Sequence, residues 1–325
     1  MLLSVSDAEA LRALASVGDD MARLYLHPRT YLHTHCTQLV AVGLQQPGRS
    51  KRPGAGGNVY GQYRVCNDSL RLADIPEEPS IRGTRPRGSG GIRCAALSYG
   101  IENSDEFEHE LARRSGCHVF ALDPALIHRV SKSSARDHRV HLLDWAAPSN
   151  FHFAHRHCAR AAGARRNCSK IIDDGKPEAD AVVAGPVRVA MAVAPRPTRR
   201  VALLKMDCEG CEYRLYDEVA NEADWTFFER VDQLVLETHL PRKYAANDDE
   251  FLQYGKLLAL LVRAGHRLES LEAAYCGGGG QFMGLTPLVA ASGYYRRHTD
   301  QPPLGNGKIR TELHCENLLF VRRAG

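Results

Sequence analysis

No stretch of this 325-residue chain approaches the run of about 18 apolar residues that a membrane-spanning helix needs, so no membrane segment is expected within it. Nor is there a large charge of either sign. Forty-two Lys and Arg stand against 38 Asp and Glu, a formal +4, which gives no footing for nucleic-acid binding. The polar excess of a disordered chain is missing too: 44% of the residues are hydrophobic, enough for a sizeable core. The opening, Met1 to Asp7, is too short and too soon acidic to read as a signal peptide. The ten cysteines are scattered and too sparse for a small disulfide scaffold. A cytoplasmic, reducing compartment is therefore the default expectation. The secretory pathway, including the Golgi, is the alternative if an anchor lies upstream of this chain.

At about 150 residues per domain the length suits one large or two ordinary domains. Residues 5–45 read as helical, with Leu11, Leu14, Val17, Met21 and Leu24 at helix spacing. Gly48–Gly57 and 76–91 are rich in Gly and Pro and read as loops. Residues 1–90 are thus expected to form a helical and loop lead-in, and 91–325 the main domain. From residue 92 short apolar runs alternate with amphipathic ones. Strands are expected at Ile92–Ser98, Cys117–Leu122, Val140–Leu143, Val201–Met206, Val231–Glu237, His266–Leu271 and Glu316–Arg322. Helices are expected at 104–115, Cys211–Ala220 and Glu250–Ala264. That alternation predicts an α/β fold: a mostly parallel sheet with helices on both faces. Residues 145–200 and 276–310 read as insertions.

In such sheets ligands bind beyond the carboxyl ends of the strands, where the strand order reverses. Acids cluster at these ends: Glu102 after the first strand, Asp123, Asp144, Asp207 with Glu209, and Glu237 before His239. Buried acids are costly unless something binds them. The first loop, Tyr99-Gly100-Ile101-Glu102-Asn103, has one glycine, expected to let the backbone approach a ligand. Asn103 and Glu106 read as a capping box for the following helix. The glycine triplet G-x-G-x-x-G is absent, so there is no pyrophosphate cradle and no case for a nicotinamide or nucleotide-sugar enzyme. Glu102, Asp105 and Glu106 would also repel a phosphate. Asp123 stands where a carboxylate accepts hydrogen bonds from ribose hydroxyls. A nucleoside carrying a cation, S-adenosyl-L-methionine, fits these residues. Tyr99, Gly100, Glu102, Asn103, Asp123 and Asp144 are its expected contacts, with Trp145 a stacking face.

The sharpest motif is Leu203-Leu204-Lys205-Met206-Asp207-Cys208-Glu209-Gly210-Cys211-Glu212. It resembles the K-I/M-D-x-E-G-x-E signature of the FkbM-type methyltransferases, and more closely their orphan eukaryotic methyltransferase-like relatives. Leu97–Asn103 with Phe107, Cys117–Pro124, Leu234–His239, and Gly61-Gln62 with Val65-Cys66 resemble other stretches of that group in the same order. The resemblance spans roughly 58–271 and the last strand. It implies a Rossmann-like class I methyltransferase fold and methylation of an acceptor by S-adenosylmethionine. The expected target is a hydroxyl oxygen on a small molecule, sugar or protein. Asp207, Glu209 and His239 are the expected catalytic residues, facing the acceptor. The rival reading is an interaction module that kept the fold and lost the chemistry.

Two further patterns carry blander readings. His152, His155, His157, Cys158 and Cys168 lack the paired spacing of zinc sites, and no metal is expected. Cys208 and Cys211 match a redox dithiol but lie inside the acidic motif, outside a thioredoxin-like context.

Overall fold

The structure, a computed structural model, describes residues 4–26, 36–43, 62–70, 92, 94–101, 105–123, 137–143, 185–208, 211–238, 248–274, 288, 291–294 and 315–323. In chain order the elements are α1 (Asp7–Leu26), β1 (Leu39–Val42), β2 (Tyr63–Cys66), α2 (Asn67–Leu70), β3 (Ala95–Tyr99), α3 (Glu106–Ser115), β4 (His118–Leu122) and β5 (Val140–Leu143). There follow α4 (Pro186–Val193), β6 (Val201–Met206), a 3₁₀ turn (Cys211–Arg214), α5 (Leu215–Asn221), a second 3₁₀ turn (Phe227–Arg230), β7 (Gln233–Thr238), α6 (Asp248–Arg263), β8 (His266–Ala274) and β9 (Cys315–Arg322).

The α/β fold expected of the sequence is present. Seven strands form one sheet in the order β5-β4-β3-β6-β7-β9-β8. Neighbours from β5 through β7 pair in parallel, while β9 runs antiparallel to both β7 and β8. β3, β4 and β6 are near-continuous apolar runs because helices cover both faces. The period of two sends Leu203 to one face and Leu204 to the other. One face packs Ala96, Val119, Leu203 and Val235 under Phe107 and Leu111 of α3 and Tyr63 and Val65 of β2. The other packs Leu97, Phe120, Leu204 and Leu236 under α1, α4, α5 and α6.

Residues before 91 serve both faces. α1 lies along α6, with Lys256 2.8 Å from Asp7 and Arg263 paired to Glu9. Gly255 lets α6 approach α1 closely, and Gly18 lets α1 approach the backbone at Gly293 and Tyr294. A Cβ on Gly18 would stand 2.6 Å from Cα of Tyr294, and one on Gly255 2.8 Å from the Leu14 side chain. β1 and β2 form a separate antiparallel ribbon over α3, held by a Cys36–Cys66 disulfide. The helix expected to run to residue 45 therefore ends at Leu26, and Leu39–Val42 is strand. Its apolar, partly β-branched run suits a half-buried pleat.

The helix of the first loop begins at Glu106 with Asp105 as N-cap and no side-chain capping bond. Glu106 is thus the first helical residue rather than the third, and the expected capping box does not form. The helix expected at Cys211–Ala220 opens as a 3₁₀ turn before α5. The insertions at 145–200 and 276–310 lie mostly outside the described residues. Within them α4 and the buried Tyr294 are described.

Candidate functional site

The chain runs outward from β3 to β4 and β5, then returns to β6 on the other side of β3. The order therefore reverses between β3 and β6, and the carboxyl ends of these strands form the mouth where a ligand is expected. Gly100 follows β3 and Asp207 follows β6. The Asp207 N–H donates to the Tyr99 carbonyl at 2.9 Å, so the two strand ends are tied at the backbone. Gly100 has φ +79°, and a Cβ there would lie 1.6 Å from the Asp207 carbonyl oxygen. The neighbouring strand end is by itself enough to require glycine at this position.

Asp123 follows β4 and is almost fully buried. Its Oδ2 accepts the Ile101 N–H at 2.9 Å, while the Gly100 N–H donates to the Leu122 carbonyl at 3.0 Å. The carboxylate thus holds the first loop against β4. Strand alternation turns Ala95, Leu97 and Tyr99 to the α1/α6 face, where the Tyr99 side chain is fully buried. Burial, then the nearby Glu218 charge, pushes its phenol well above the usual tyrosine range. The Tyr99 carbonyl, which accepts the Asp207 N–H, lies at the mouth.

The Asp207 side chain faces the opposite way, toward the β1–β2 ribbon, and is 7% exposed. Its Oδ2 accepts a hydrogen bond from the Tyr63 hydroxyl and lies 3.7 Å from Nζ of Lys205. The Lys205 ammonium donates to the Gly100 carbonyl and stands 4.8 Å from the centre of the Tyr63 ring. Lys205 is paired in register with Ser98, whose hydroxyl donates to Glu108 Oε1 of α3 at 2.5 Å. Burial pushes the Glu108 carboxyl up, partly offset by the charge of Lys205. The buried ammonium thus has the Gly100 carbonyl and Asp207 as partners, the partnering that makes a buried charge tolerable, and its charge is felt at Glu108.

Asp207 and Lys205 are two apart on one strand, so their shared face was legible in the motif. Nothing in the sequence points to Tyr63, which lies 144 positions from Asp207.

Of the other expected site residues, Glu102, Asn103, Asp144, Glu209 and His239 lie outside the described residues, as do Trp145 and the His152–Cys168 segment. Glu237 is half-buried in β7 beside Asn317 of β9. Cys208 and Cys211 are joined as a disulfide immediately after Asp207, and Cys94 is joined to Cys117. Among the described residues no cysteine is free. Among them also, the one group of three metal-capable side chains is Cys36, Cys66 and Asp68, the first two already disulfide-bonded. No described helix is long and apolar enough to cross a membrane.

Comparison with protein-family models, with curated proteins and with solved structures returns no match to this chain.

Proposed function

We propose that the chain is an S-adenosylmethionine-dependent methyltransferase that transfers a methyl group to a hydroxyl oxygen of a small molecule, sugar or protein. The observation that carries this reading is the mouth itself. Gly100 and Asp207 meet at the strand-order reversal, and Asp123 holds the first loop beside them. The sheet supports it, since a parallel run closed by an antiparallel β9 between β7 and β8 is the arrangement expected of a class I methyltransferase.

The donor set fits the cofactor's chemistry. Carboxylates suit ribose hydroxyls and a positive charge, and the missing glycine triplet disfavours a pyrophosphate. When bound, the cofactor supplies a methyl group on a sulfonium. The chain's own contribution is positioning, which supplies much of the rate in an in-line displacement. In this reading Asp123 holds the first loop and the ribose. Asp207, buried against Tyr63 and Lys205, shapes the mouth. Glu209 and His239 are the groups assigned to the acceptor, where a hydroxyl must lose its proton to a base.

Six of the described cysteines are joined in three pairs, which supports folding in an oxidising compartment, in place of the reducing default. Titration of the purified chain with S-adenosylhomocysteine tests the central claim. Saturable binding at one site per chain is expected. No binding would leave the rival reading, a fold that kept its shape without its chemistry.

A further inference from the structure

The buried charges beneath the mouth engage an element that methyl transfer itself does not call for, the β1–β2 ribbon. It is pinned from several sides. The Cys36–Cys66 disulfide closes it. The side-chain amide of Gln233, at the start of β7, accepts the Cys66 N–H at 2.7 Å and donates to the Cys66 carbonyl at 2.8 Å. The Gly43 N–H donates to Glu110 of α3 at 2.8 Å. Arg64 reaches Glu272 of β8 at 2.7 Å. So fixed, the ribbon sets Tyr63 edge-on to Phe107, ring centres 5.2 Å apart, with its hydroxyl on Asp207.

We infer that Tyr63 and Lys205 are positioning residues of the mouth, and that the disulfide-clamped ribbon is a working part of the ligand site rather than a cover. The inference rests on the cofactor reading above. A carboxylate and an ammonium this deeply buried hold their places only while their partners do. Without the Tyr63 hydroxyl, Asp207 must find another donor, and the nearest is Lys205. Lys205 drawn toward Asp207 releases the Gly100 carbonyl. Gly100-Ile101 is the loop that Asp123 holds, so a change at the ribbon reaches the cofactor side of the mouth through three consecutive contacts.

The test is a thermodynamic cycle on S-adenosylhomocysteine affinity, with melting temperature recorded for every sample. Its variants are Tyr63→Phe, Cys36→Ser with Cys66→Ser, and all three changes together. The Tyr63 and cysteine variants are each expected to weaken binding by about fivefold or more, with the combined variant no weaker than the worse of the two. That non-additivity marks one shared pathway, and a general loss of stability would not produce it. Lys205→Met is expected to weaken binding by about tenfold. Arg23→Ala, whose partner Asp20 lies on the same helix α1 away from the ribbon and the mouth, should leave affinity within about twofold. Should Lys205→Met fail to fold, Tyr63→Phe still decides the matter, since it removes one hydroxyl. Wild-type affinity in Tyr63→Phe would overturn the inference while leaving the cofactor reading intact, and so would losses that simply add. Failure of the wild-type chain to bind would overturn both.

Discussion

At the scale of single residues, Asp123 bears the most direct prediction. Its carboxylate already holds the Ile101 N–H, and the proposed ribose contact would add to it. Removing a charged hydrogen-bond acceptor costs about 1.5–3 kcal/mol, so Asp123→Ala should weaken S-adenosylhomocysteine binding roughly ten- to a hundredfold. Calorimetric titration of folded protein checks it, and unchanged affinity would take Asp123 out of the site. Three buried groups away from the mouth set the pH response. Burial raises Glu218 from 4.5 to about 8 and Glu269 from 4.5 to about 7, and lowers His266 from 6.5 to about 4. Above the ordinary value and below the raised one, the folded chain holds a proton at Glu218 that the unfolded chain has lost. Stability therefore falls as pH climbs through about 4.5 to 8. His266 works the other way, since the unfolded chain binds the extra proton between about 4 and 6.5. The two trends oppose each other below 6.5, and only the acids act above it. Melting temperature should accordingly decline from pH 6.5 to 8, and Glu218→Gln should flatten most of that decline.

At the scale of elements, α1 packs closely against α6 and Tyr294. Alanine at Gly18 would gain about 1 kcal/mol of helix propensity. Its Cβ would, however, meet backbone atoms of Gly293 and Tyr294 at 2.6–2.8 Å, and backbone cannot swing aside as a side-chain tip can. Overpacking of this kind costs about 1–3 kcal/mol, so the clash wins and Gly18→Ala should lower the midpoint of denaturant unfolding. An unchanged midpoint would mean the α1 junction yields easily. The same junction shows what the sequence discloses. The apolar run alone places Val201–Met206 to the residue, because a fully covered strand is a bounded apolar run, and the short run Val140–Leu143 is placed likewise although that strand is a half-buried edge. It also gives the α1 stripe on Leu14, Val17 and Met21, but not the partner that stripe faces. The ribbon is illegible for a similar reason: its pairing depends on Leu39 meeting Cys66 across an intervening segment, and no local pattern records that. At the mouth the acids are visible because strand ends are visible. Which way each carboxylate turns, Asp207 toward Tyr63 and Asp123 toward Ile101, follows from neighbours far off in the chain.

At the scale of the whole molecule, three described disulfides tie segments that the hydrophobic faces alone hold less firmly. Closing the 30-residue separation between Cys36 and Cys66 corresponds to roughly 3–4 kcal/mol on chain-entropy grounds. Thermal unfolding with and without a reductant should therefore differ by several degrees, with the reduced protein melting first. Equal melting temperatures would show that the clamps add little.

The place of β9 has a consequence for how the chain is made. Among the described residues β8 pairs in the sheet with β9 alone, which stands between it and β7. During synthesis every earlier strand emerges first, so a nascent chain halted after residue 274 presents the apolar edge of β7 and an unattached β8. These strands can be joined only once residues 315–322 have cleared the ribosome, because β9 must enter between two strands made before it.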